Sequence, residues 1–153
     1  MKTENERKFI PVNIALMTVS DTRTQADDYS GNLLSERIMN AGHNLTDRTI
    51  VKDEVLLITK QLKEWIQAPS VSVVISTGGT GVTGRDVTPE AFNTVWEKEI
   101  PGFGELFRWI SFKKIKTSSI QSRACAGVAN KTYLFCIPGS KGACKDAWDE
   151  ILC

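Results

Sequence analysis

The chain has 153 residues and a formal net charge of +1, with 41% hydrophobic and 24% charged residues. This balance predicts a single globular domain with a sizeable core. The small net charge argues against a general nucleic-acid binder, which would need a strong basic excess. No apolar run approaches the roughly 18 residues of a membrane-spanning helix, so no membrane partner is expected.

The first residues are polar and charged, and no signal-peptide apolar region follows them. They predict a flexible N-terminal tail over residues 1–10, followed by one domain over residues 11–153. The four cysteines form no C-x-x-C pair, and His43 is the only histidine. A zinc site and a disulfide framework are therefore not expected, and reduced cysteines indicate a cytoplasmic protein.

The first half of the chain alternates apolar runs with helical patterns. Val12–Val19 predicts a buried strand, and Leu45–Val51 predicts a second strand. The polar residues between Asp21 and Asp28 are expected to form a solvated loop. Ser30 is the predicted cap of the first helix, and Asp53 is the predicted cap of the second. Apolar positions on one face are Leu34, Ile38 and Ala41 in the first helix, and Val55, Ile58, Leu62 and Trp65 in the second.

The second half continues the same alternation. Val71–Thr77 predicts a third strand, and Thr88 with Pro89 marks the start of a third helix. A further helical stretch follows over 103–110, and a short helix is predicted over Ser118–Val128. The last elements are a strand over 132–137 and a helix that begins after Pro138-Gly139-Ser140.

This order predicts a single-domain α/β protein with three layers, in which helices cover both faces of a mostly parallel sheet. Such sheets bind ligands beyond the carboxyl ends of their strands. Turns that are distant in sequence should therefore meet at one edge. The polar turns at the predicted strand ends are Ser20-Asp21, Lys52-Asp53, Thr77-Gly78-Gly79 and Pro138-Gly139-Ser140.

The turn after the third strand carries four glycines and three threonines within residues 77–84. It contains a literal G-x-G-x-x-G, but the helix starts later than in the dinucleotide fingerprint, and no acidic strand end follows about 20 residues on. It also resembles a P-loop, although Arg85-Asp86 stands where that motif needs Lys and a hydroxyl residue; an Arg here could still neutralise phosphate. The remaining interpretations are an anion-binding nest of backbone amides, with Thr77, Thr80 and Thr83 as hydroxyl donors, and a tight turn without a ligand.

Two carboxylates are expected beside this turn. Asp86 follows it closely, and Asp53 follows the second strand, so the two predict a Mg²⁺ site that is shared with substrate phosphates. The alternatives are a helix cap for Asp53 and a solvated loop charge for Asp86. Weaker candidates are Asp21 with Arg23, and Glu105, which either flanks the ligand or faces water. Arg123 and Lys141 are possible cations, and Trp65, Trp96, Trp109 and Trp148 are expected in the core or at subunit contacts.

Five motifs together resemble the MoaB/Mog family, which includes the G domain of gephyrin, and the bacterial MoaB branch is the most similar. The motifs are Ser-Thr-Gly-Gly-Thr-Gly (76–81), Arg-Asp-Val-Thr-Pro-Glu (85–90), Pro-Gly-Phe-Gly-Glu (101–105), Gly-Val-Ala-Asn-Lys-Thr (127–132) and Pro-Gly-Ser-Lys (138–141). They occur in the family's order, from about Val12 to the end of the chain.

The resemblance implies molybdenum-cofactor biosynthesis, in which molybdopterin is adenylylated with Mg²⁺ and ATP and pyrophosphate is released. It also implies a homotrimer or a hexamer, and a molybdate-inserting enzyme as a further pathway partner. The family's two important aspartates match Asp53 and Asp86, and the presence of both favours activity. The alternative is a non-catalytic trimeric protein that binds the pterin or a partner. Residues expected to bind substrate or phosphate are Ser20, Thr77, Gly78, Gly79, Thr80, Gly81, Glu105, Gly139, Ser140 and Lys141.

Overall fold

A computed structural model describes residues 7–153 and contains one six-stranded sheet. The strands are β1 (Asn13–Val19), β2 (Asn44–Val51), β3 (Val73–Thr77), β4 (Lys98–Glu99), β5 (Cys125–Ala129) and β6 (Thr132–Ile137). Their order across the sheet is β2-β1-β3-β6-β5-β4. The pairs that β1 makes with β2 and β3, and the pair of β3 with β6, are parallel. The pairs of β5 with β6 and with β4 are antiparallel.

Five α-helices cover the two faces of this sheet, so the predicted three-layer α/β/α class is confirmed. The helices are α1 (Tyr29–Asn40), α2 (Val55–Gln67), α3 (Thr88–Val95), α4 (Pro101–Ile115) and α5 (Lys141–Ala147), with a 3-10 helix at Lys116–Gln121 and a π-helical turn at Trp148–Leu152. Within residues 7–153, no helix combines the length and the apolar character needed to cross a lipid bilayer. The first six residues of the predicted tail lie outside the described part of the chain, and the ring of Phe9 packs against His43.

The apolar core is divided in two because successive side chains of a strand point to opposite faces of the sheet. On β1, Ile14 and Leu16 face one side, and Ala15 and Met17 face the other. Helices α1, α4 and α5 pack on the first face, and α2 and α3 pack on the second. Buried helical residues of the first face are Leu34, Ile38, Phe107 and Trp148, and those of the second face are Ile58, Leu62, Trp65 and Phe92.

The predicted helix over Ser118–Val128 is wrong. The chain forms a 3-10 helix there and then enters β5, which pairs with β6 through a two-residue hairpin loop. Asn130 and Lys131 form this loop with φ values of 47° and 67°, as a type I′ turn requires. A side chain at Gly127 would lie 2.6 Å from the ring of Trp96, so this strand position needs glycine.

The predicted caps of the first two helices are also wrong. Asp28, which was expected in a solvated loop, is only 1% exposed and caps α1 by accepting a hydrogen bond from the amide of Gly31. The hydroxyl of Ser30 instead donates to the carbonyl of Gly139, 2.5 Å away. Helix α2 has no side-chain cap, so the carboxylate of Asp53 is not used at its start.

Asp28 joins three elements as well as capping its helix. Its carboxylate accepts from the hydroxyl of Thr18 at 2.8 Å and from the guanidinium of Arg48 at 3.0 Å. Both partners come from strands, so α1 is tied by one buried carboxylate to the sheet that it covers.

We expect Asp28→Ala to lower the free energy of unfolding by about 2 to 4 kcal/mol, because it removes the cap and leaves buried donors without an acceptor. Urea unfolding followed by circular dichroism measures this change. Asp27→Ala is the matched control, since Asp27 bonds only to exposed groups of its own loop, and it should change stability little. Equal losses in the two variants would contradict this account of Asp28.

Candidate functional site

The carboxyl ends of four strands lie level with one another at one edge of the sheet. Thr18 of β1 pairs with Thr77 of β3, and Thr77 pairs in turn with Ile137 of β6. Val19, the last residue of β1, pairs with Val51, the last residue of β2. The turns that follow these strands therefore meet at one edge, as predicted from the fold class.

The glycine turn packs directly against two of the neighbouring turns. Gly78 has a φ of 103°, and a side chain there would lie 2.3 Å from the carbonyl oxygen of Val19. Gly139 lies on the other side, where a Cβ atom would be 3.2 Å from the Cα of Gly78. Glycine is therefore required at position 78 by both the backbone conformation and the space.

Helix α3 fixes the far side of the same turn. The hydroxyl of Thr88 donates to the carbonyl of Gly78, and the amide of Thr88 donates to the carbonyl of Gly79. The amide of Gly78 donates to the carbonyl of Ile137. Because three elements hold the turn, its geometry is set before any ligand arrives.

Two amides of the turn remain available to a ligand. Among the described residues, the backbone N–H groups of Gly79 and Thr80 donate to no backbone or side-chain acceptor. The hydroxyl of Thr77 is used internally, since it donates to the carbonyl of Pro138 at 2.9 Å. The hydroxyl of Thr83 donates to Asp86 at 2.7 Å. Of the three predicted hydroxyl donors, only that of Thr80 has no partner within residues 7–153.

A cleft of about 450 Å³ opens over the turn. Its floor is the glycine turn with Asp86, and one wall is the 138–140 turn with the start of α5. The opposite wall is the face of α4 that carries Phe107 and Ser111, together with the 3-10 helix. The lining residues are Gly78, Gly79, Thr80, Gly81, Asp86, Phe107, Ser111, Ile115, Ser118, Gln121, Ser122, Pro138, Gly139, Ser140 and Ala143.

Asp53 and Asp86 both approach this turn, each beside a glycine. A Cβ atom at Gly79 would lie 3.2 Å from Oδ1 of Asp53, and one at Gly81 would lie 2.6 Å from Oδ2 of Asp86. The missing side chains thus make room for the two carboxylates. Residues from the ends of two different strands contribute to one small region.

The two carboxylates differ in protonation behaviour. Burial raises the pKa of Asp53 above its ordinary value, and the negative charges of Asp21 and Asp86 raise it further, while Arg85 acts in the opposite direction. The pKa of Asp86 is lowered, mainly by the hydrogen bond from the Thr83 hydroxyl and also by the amides of Thr83 and Gly81. The site therefore concentrates negative charge that a bound cation would relieve.

Arg123 clamps the loop that carries Asp86. Its guanidinium donates to the carbonyls of Gly81 and Asp86 at 2.8 and 2.7 Å and forms an ion pair with Glu90. The sequence offered Arg123 only as a possible cation. Its position indicates a structural role instead, because its hydrogen bonds to the two carbonyls hold the glycine loop in one conformation.

Arg85 makes the second ion pair at this edge. Its Nε and a terminal nitrogen each donate to one oxygen of Asp21, both at 2.9 Å. Asp21 also accepts from the amide of Asp53. Arg23, which was named with Asp21 as a weaker site candidate, contacts Asp27. The hydrogen bonds from Arg85 lower the pKa of Asp21, which stays ionised.

The oxygen donors of this region suit Mg²⁺, which takes part of its ligands from water and substrate, better than a metal whose ligands all come from protein side chains. Within residues 7–153, no three His, Cys, Asp or Glu side chains are grouped closely enough to hold a metal ion. Mg²⁺ commonly uses one or two carboxylates, several waters and substrate phosphates. Asp53 and Asp86 beside the glycine turn provide that kind of incomplete donor set.

The other predicted site residues are not all brought to the cleft. Ser140 lines it and caps α5 by accepting from the amide of Ala143. Lys141 is exposed near the ring of Tyr29, and Ser20 accepts two amide hydrogen bonds within its own loop. Glu105 is exposed on α4 and does not line the cleft, because it lies almost opposite Phe107 on the helix.

An open, mostly parallel α/β sheet with a glycine turn, two turn amides without a partner among residues 7–153, and two carboxylates at its carboxyl edge defines a candidate phosphate-binding α/β protein. Comparison with known proteins gives the family. Residues 15–153 match a family described as a probable molybdopterin binding domain. The chain therefore belongs to this family of molybdenum cofactor biosynthesis proteins, and the predicted MoaB/Mog resemblance is confirmed.

Individual relatives agree with this assignment. The chain is 48% identical over 145 residues to molybdenum cofactor biosynthesis protein B of Escherichia coli K12, covering 95% of this chain and 85% of the relative. A crystal structure of a molybdenum cofactor biosynthesis protein B superposes with a TM-score of 0.92 at 41% identity, covering 95% and 91% of the two chains. The tungsten cofactor synthesizing protein MoaB from Pyrococcus furiosus superposes with a TM-score of 0.84 at 31% identity, covering 93% and 91%.

We expect Asp53→Asn to raise the melting temperature of the metal-free protein at pH 7. The folded-state pKa of Asp53 is raised above its ordinary value, so the ionised carboxylate disfavours folding. Wild-type stability is therefore lost as pH rises from the ordinary pKa of Asp through the folded-state pKa. The gain should shrink toward zero near pH 3, about one unit below the ordinary pKa of Asp, because the wild-type carboxyl is then protonated. Thermal melts from pH 3 to 7 measure this difference, and a gain that is constant with pH would contradict it.

Proposed function

We propose that this chain catalyses the adenylylation of molybdopterin with Mg²⁺ and ATP. The terminal phosphate oxygen of molybdopterin attacks the α-phosphorus of ATP, the bond from that phosphorus to the bridging oxygen breaks, and pyrophosphate leaves. The observation that carries this proposal is the approach of Asp53 and Asp86 to two glycines, Gly79 and Gly81, of one turn. Membership of the molybdopterin-binding family supports the choice of substrate.

The glycine turn would bind one of the reacting phosphates. The unpaired amides of Gly79 and Thr80 and the hydroxyl of Thr80 are donors that an anion can accept without disrupting an existing hydrogen bond. Preorganised donors of this kind stabilise charge that develops during phosphoryl transfer, because no reorganisation is needed at the moment of reaction. Thr88 and Arg123 hold the turn from behind and would keep those donors in place.

Asp53 and Asp86 would hold the magnesium ion together with the phosphates. When bound, Mg²⁺ offsets the repulsion between the two anionic reactants. Thr83 keeps Asp86 ionised, so this carboxylate is ready to bind a cation at neutral pH. The nucleotide side is proposed at the 138–140 turn, where Gly139 and Ser140 precede α5, Lys141 begins it, and the positive end of the helix favours anions.

The apolar wall of the cleft would receive the pterin. Phe107 and Ile115 of α4 contribute apolar surface, and Ser118, Gln121 and Ser122 contribute polar groups. Pockets with mostly apolar walls and a few polar groups are typical of heterocycle-binding sites. The proposed reaction uses ATP, so we place the enzyme in the cytoplasm, with a molybdate-inserting enzyme as the consumer of its product.

We expect purified protein with molybdopterin, ATP and Mg²⁺ to form adenylyl-molybdopterin and pyrophosphate in equal amounts. Asp53→Asn and Asp86→Asn should each lower kcat by roughly a hundredfold or more, as loss of transition-state charge stabilisation does in other enzymes. Glu36→Gln, an exposed change on α1 away from the cleft, is the control and should be neutral.

Two outcomes separate the alternatives. Wild-type protein that binds molybdopterin without forming either product would identify a non-catalytic binding protein. Full turnover by both aspartate variants would refute the proposed site and leave the proposed reaction standing.

We also propose that the chain assembles as a homotrimer, alone or paired into a hexamer. The outer face of α4 exposes large apolar side chains, including Trp109 at 59% and Phe112 at 49% exposure. Leu106 on the same helix and Ile120 beyond it extend this surface. Contiguous exposed apolar surface of this kind is typical of a subunit interface.

Sedimentation velocity should show a species of three or six chain masses. Trp109→Ser combined with Phe112→Ser should shift it toward the monomer, because apolar surface that drives association is removed. Leu56→Ser is the matched control, since Leu56 is 83% exposed on α2 and lies away from this face. A wild-type monomer, or an unchanged mass in the double variant, would contradict the proposal.

A further inference from the structure

Arg85 occupies an unusual position at the edge of the candidate site. It follows the glycine turn directly and precedes Asp86, and its side chain is 62% exposed. Both of its donors to Asp21 are at 2.9 Å, so the guanidinium meets the carboxylate at two points. Among residues 7–153, the side chain of Arg85 has no hydrogen-bond partner other than Asp21. Its only anchor is therefore an exposed ion pair, and pairs of that kind contribute little to stability.

The charges around this pair explain why Arg85 stays there. The guanidinium interacts with the negative charges of Asp21, Asp53 and Glu54, and Asp53 in turn interacts with Asp86. Without a ligand, Arg85 offsets part of this excess of negative charge. An arriving polyphosphate would bring a denser negative charge and pairs of oxygen atoms whose spacing is similar to that of a carboxylate. A guanidinium binds phosphate and carboxylate through the same two-point geometry, so it can exchange one for the other.

The position of the pair suggests which part of a ligand it would meet. Asp86 lines the cleft, whereas Asp53, Arg85 and Asp21 do not. The exposed Arg85–Asp21 pair therefore lies at the rim of the cleft, beside Asp53, whose amide donates to Asp21. A phosphate seated on the glycine turn would leave any further phosphates of the same chain to extend outward. An exposed cation at the rim fits a group that must leave the site after reaction.

We propose that Arg85 is a polyphosphate-binding residue that rests on Asp21 in the free protein and transfers its two donors to the outer phosphates of a nucleotide. This inference deepens the proposed function, on which its assignment to the pyrophosphate end of ATP rests. It accounts for the arginine that stands where a P-loop carries lysine. Asp21 acts as the resting partner that keeps the guanidinium extended toward the rim.

The first test measures binding of inorganic pyrophosphate by isothermal titration calorimetry, with the full chain in buffer that contains EDTA. Arg85→Gln should weaken binding roughly tenfold or more, because a charge-assisted two-point contact is lost. Arg85→Lys should recover part of the affinity, since it keeps the charge but loses the fork. Pyrophosphate affinity within twofold of wild type in Arg85→Gln would overturn the proposal.

Arg37→Gln is the matched control. Arg37 also forms an ion pair with an aspartate, since its Nε donates to Asp149 at 3.0 Å, but it lies at the far end of α1. Its loss removes one positive charge and one Arg–Asp pair without touching the candidate site. An equal loss of pyrophosphate affinity in Arg37→Gln would show that only net charge matters, and would overturn the assignment to Arg85.

The second test is a double-mutant cycle. Asp21→Asn should tighten metal-free pyrophosphate binding several-fold, because it removes the carboxylate that competes for the guanidinium. This gain should disappear in the Arg85→Gln background. A gain of equal size in both backgrounds would show that Asp21 acts by its charge alone, and would overturn the exchange between partners.

The two proposals can fail separately. A chain that forms no adenylyl-molybdopterin but loses pyrophosphate affinity in Arg85→Gln would refute the reaction and keep the polyphosphate site. A chain that forms the product while Arg85→Gln binds pyrophosphate normally would keep the reaction and refute the role of Arg85.

Discussion

The close approach of Gly78 to the carbonyl oxygen of Val19 is the contact on which the arrangement of the site depends. A Cβ atom there would lie 2.3 Å from that oxygen, and the φ of 103° suits glycine. Because nothing separates the two backbones, the end of β3 packs directly against the end of β1. The amide of Gly78 donates to the carbonyl of Ile137, and the carbonyl of Gly78 accepts from the hydroxyl of Thr88. In this fixed geometry the amides of Gly79 and Thr80 have no partner among the described residues.

The glycines also decide where the carboxylates lie. Asp53 approaches position 79 and Asp86 approaches position 81, and a side chain at either glycine would collide with them or with Thr88. The same absence of side chains therefore leaves the turn open and brings negative charge to its border. Arg85 and Arg123 offset that charge from two directions, one from the open rim and one from behind the loop. The proposed ligand, which combines phosphates with a cation, would match this arrangement of open amides and carboxylates.

Several errors of the sequence analysis share one cause. They assigned a residue to its nearest element, although its partner is distant along the chain. Ser30 has the chemistry of a cap, yet its hydroxyl serves Gly139, which is 109 positions away. Arg123 resembled a surface cation, yet its partners are the carbonyls of a loop about 40 residues earlier. The hairpin that joins β5 to β6 did carry a local signal, since Asn130 tolerates positive φ, but the small apolar residues before it also suit a helix.

The sequence by itself determined the layered α/β class, four of the six strands, all five α-helices and the family. Those features follow from local periodicity and from motifs, which are properties of short segments. The two glycine-bordered carboxylates were also within its reach, because parallel strands must end at one edge. Only the tertiary structure decided that Asp28 is buried, that Arg85 pairs with Asp21, that Glu105 lies away from the cleft, and that the hydroxyls of Thr77 and Thr83 are already occupied. Apart from the bond of Thr83 to Asp86 within one loop, these outcomes depend on how elements distant in sequence pack together, and a hydrogen bond between distant residues leaves no periodic pattern in the chain.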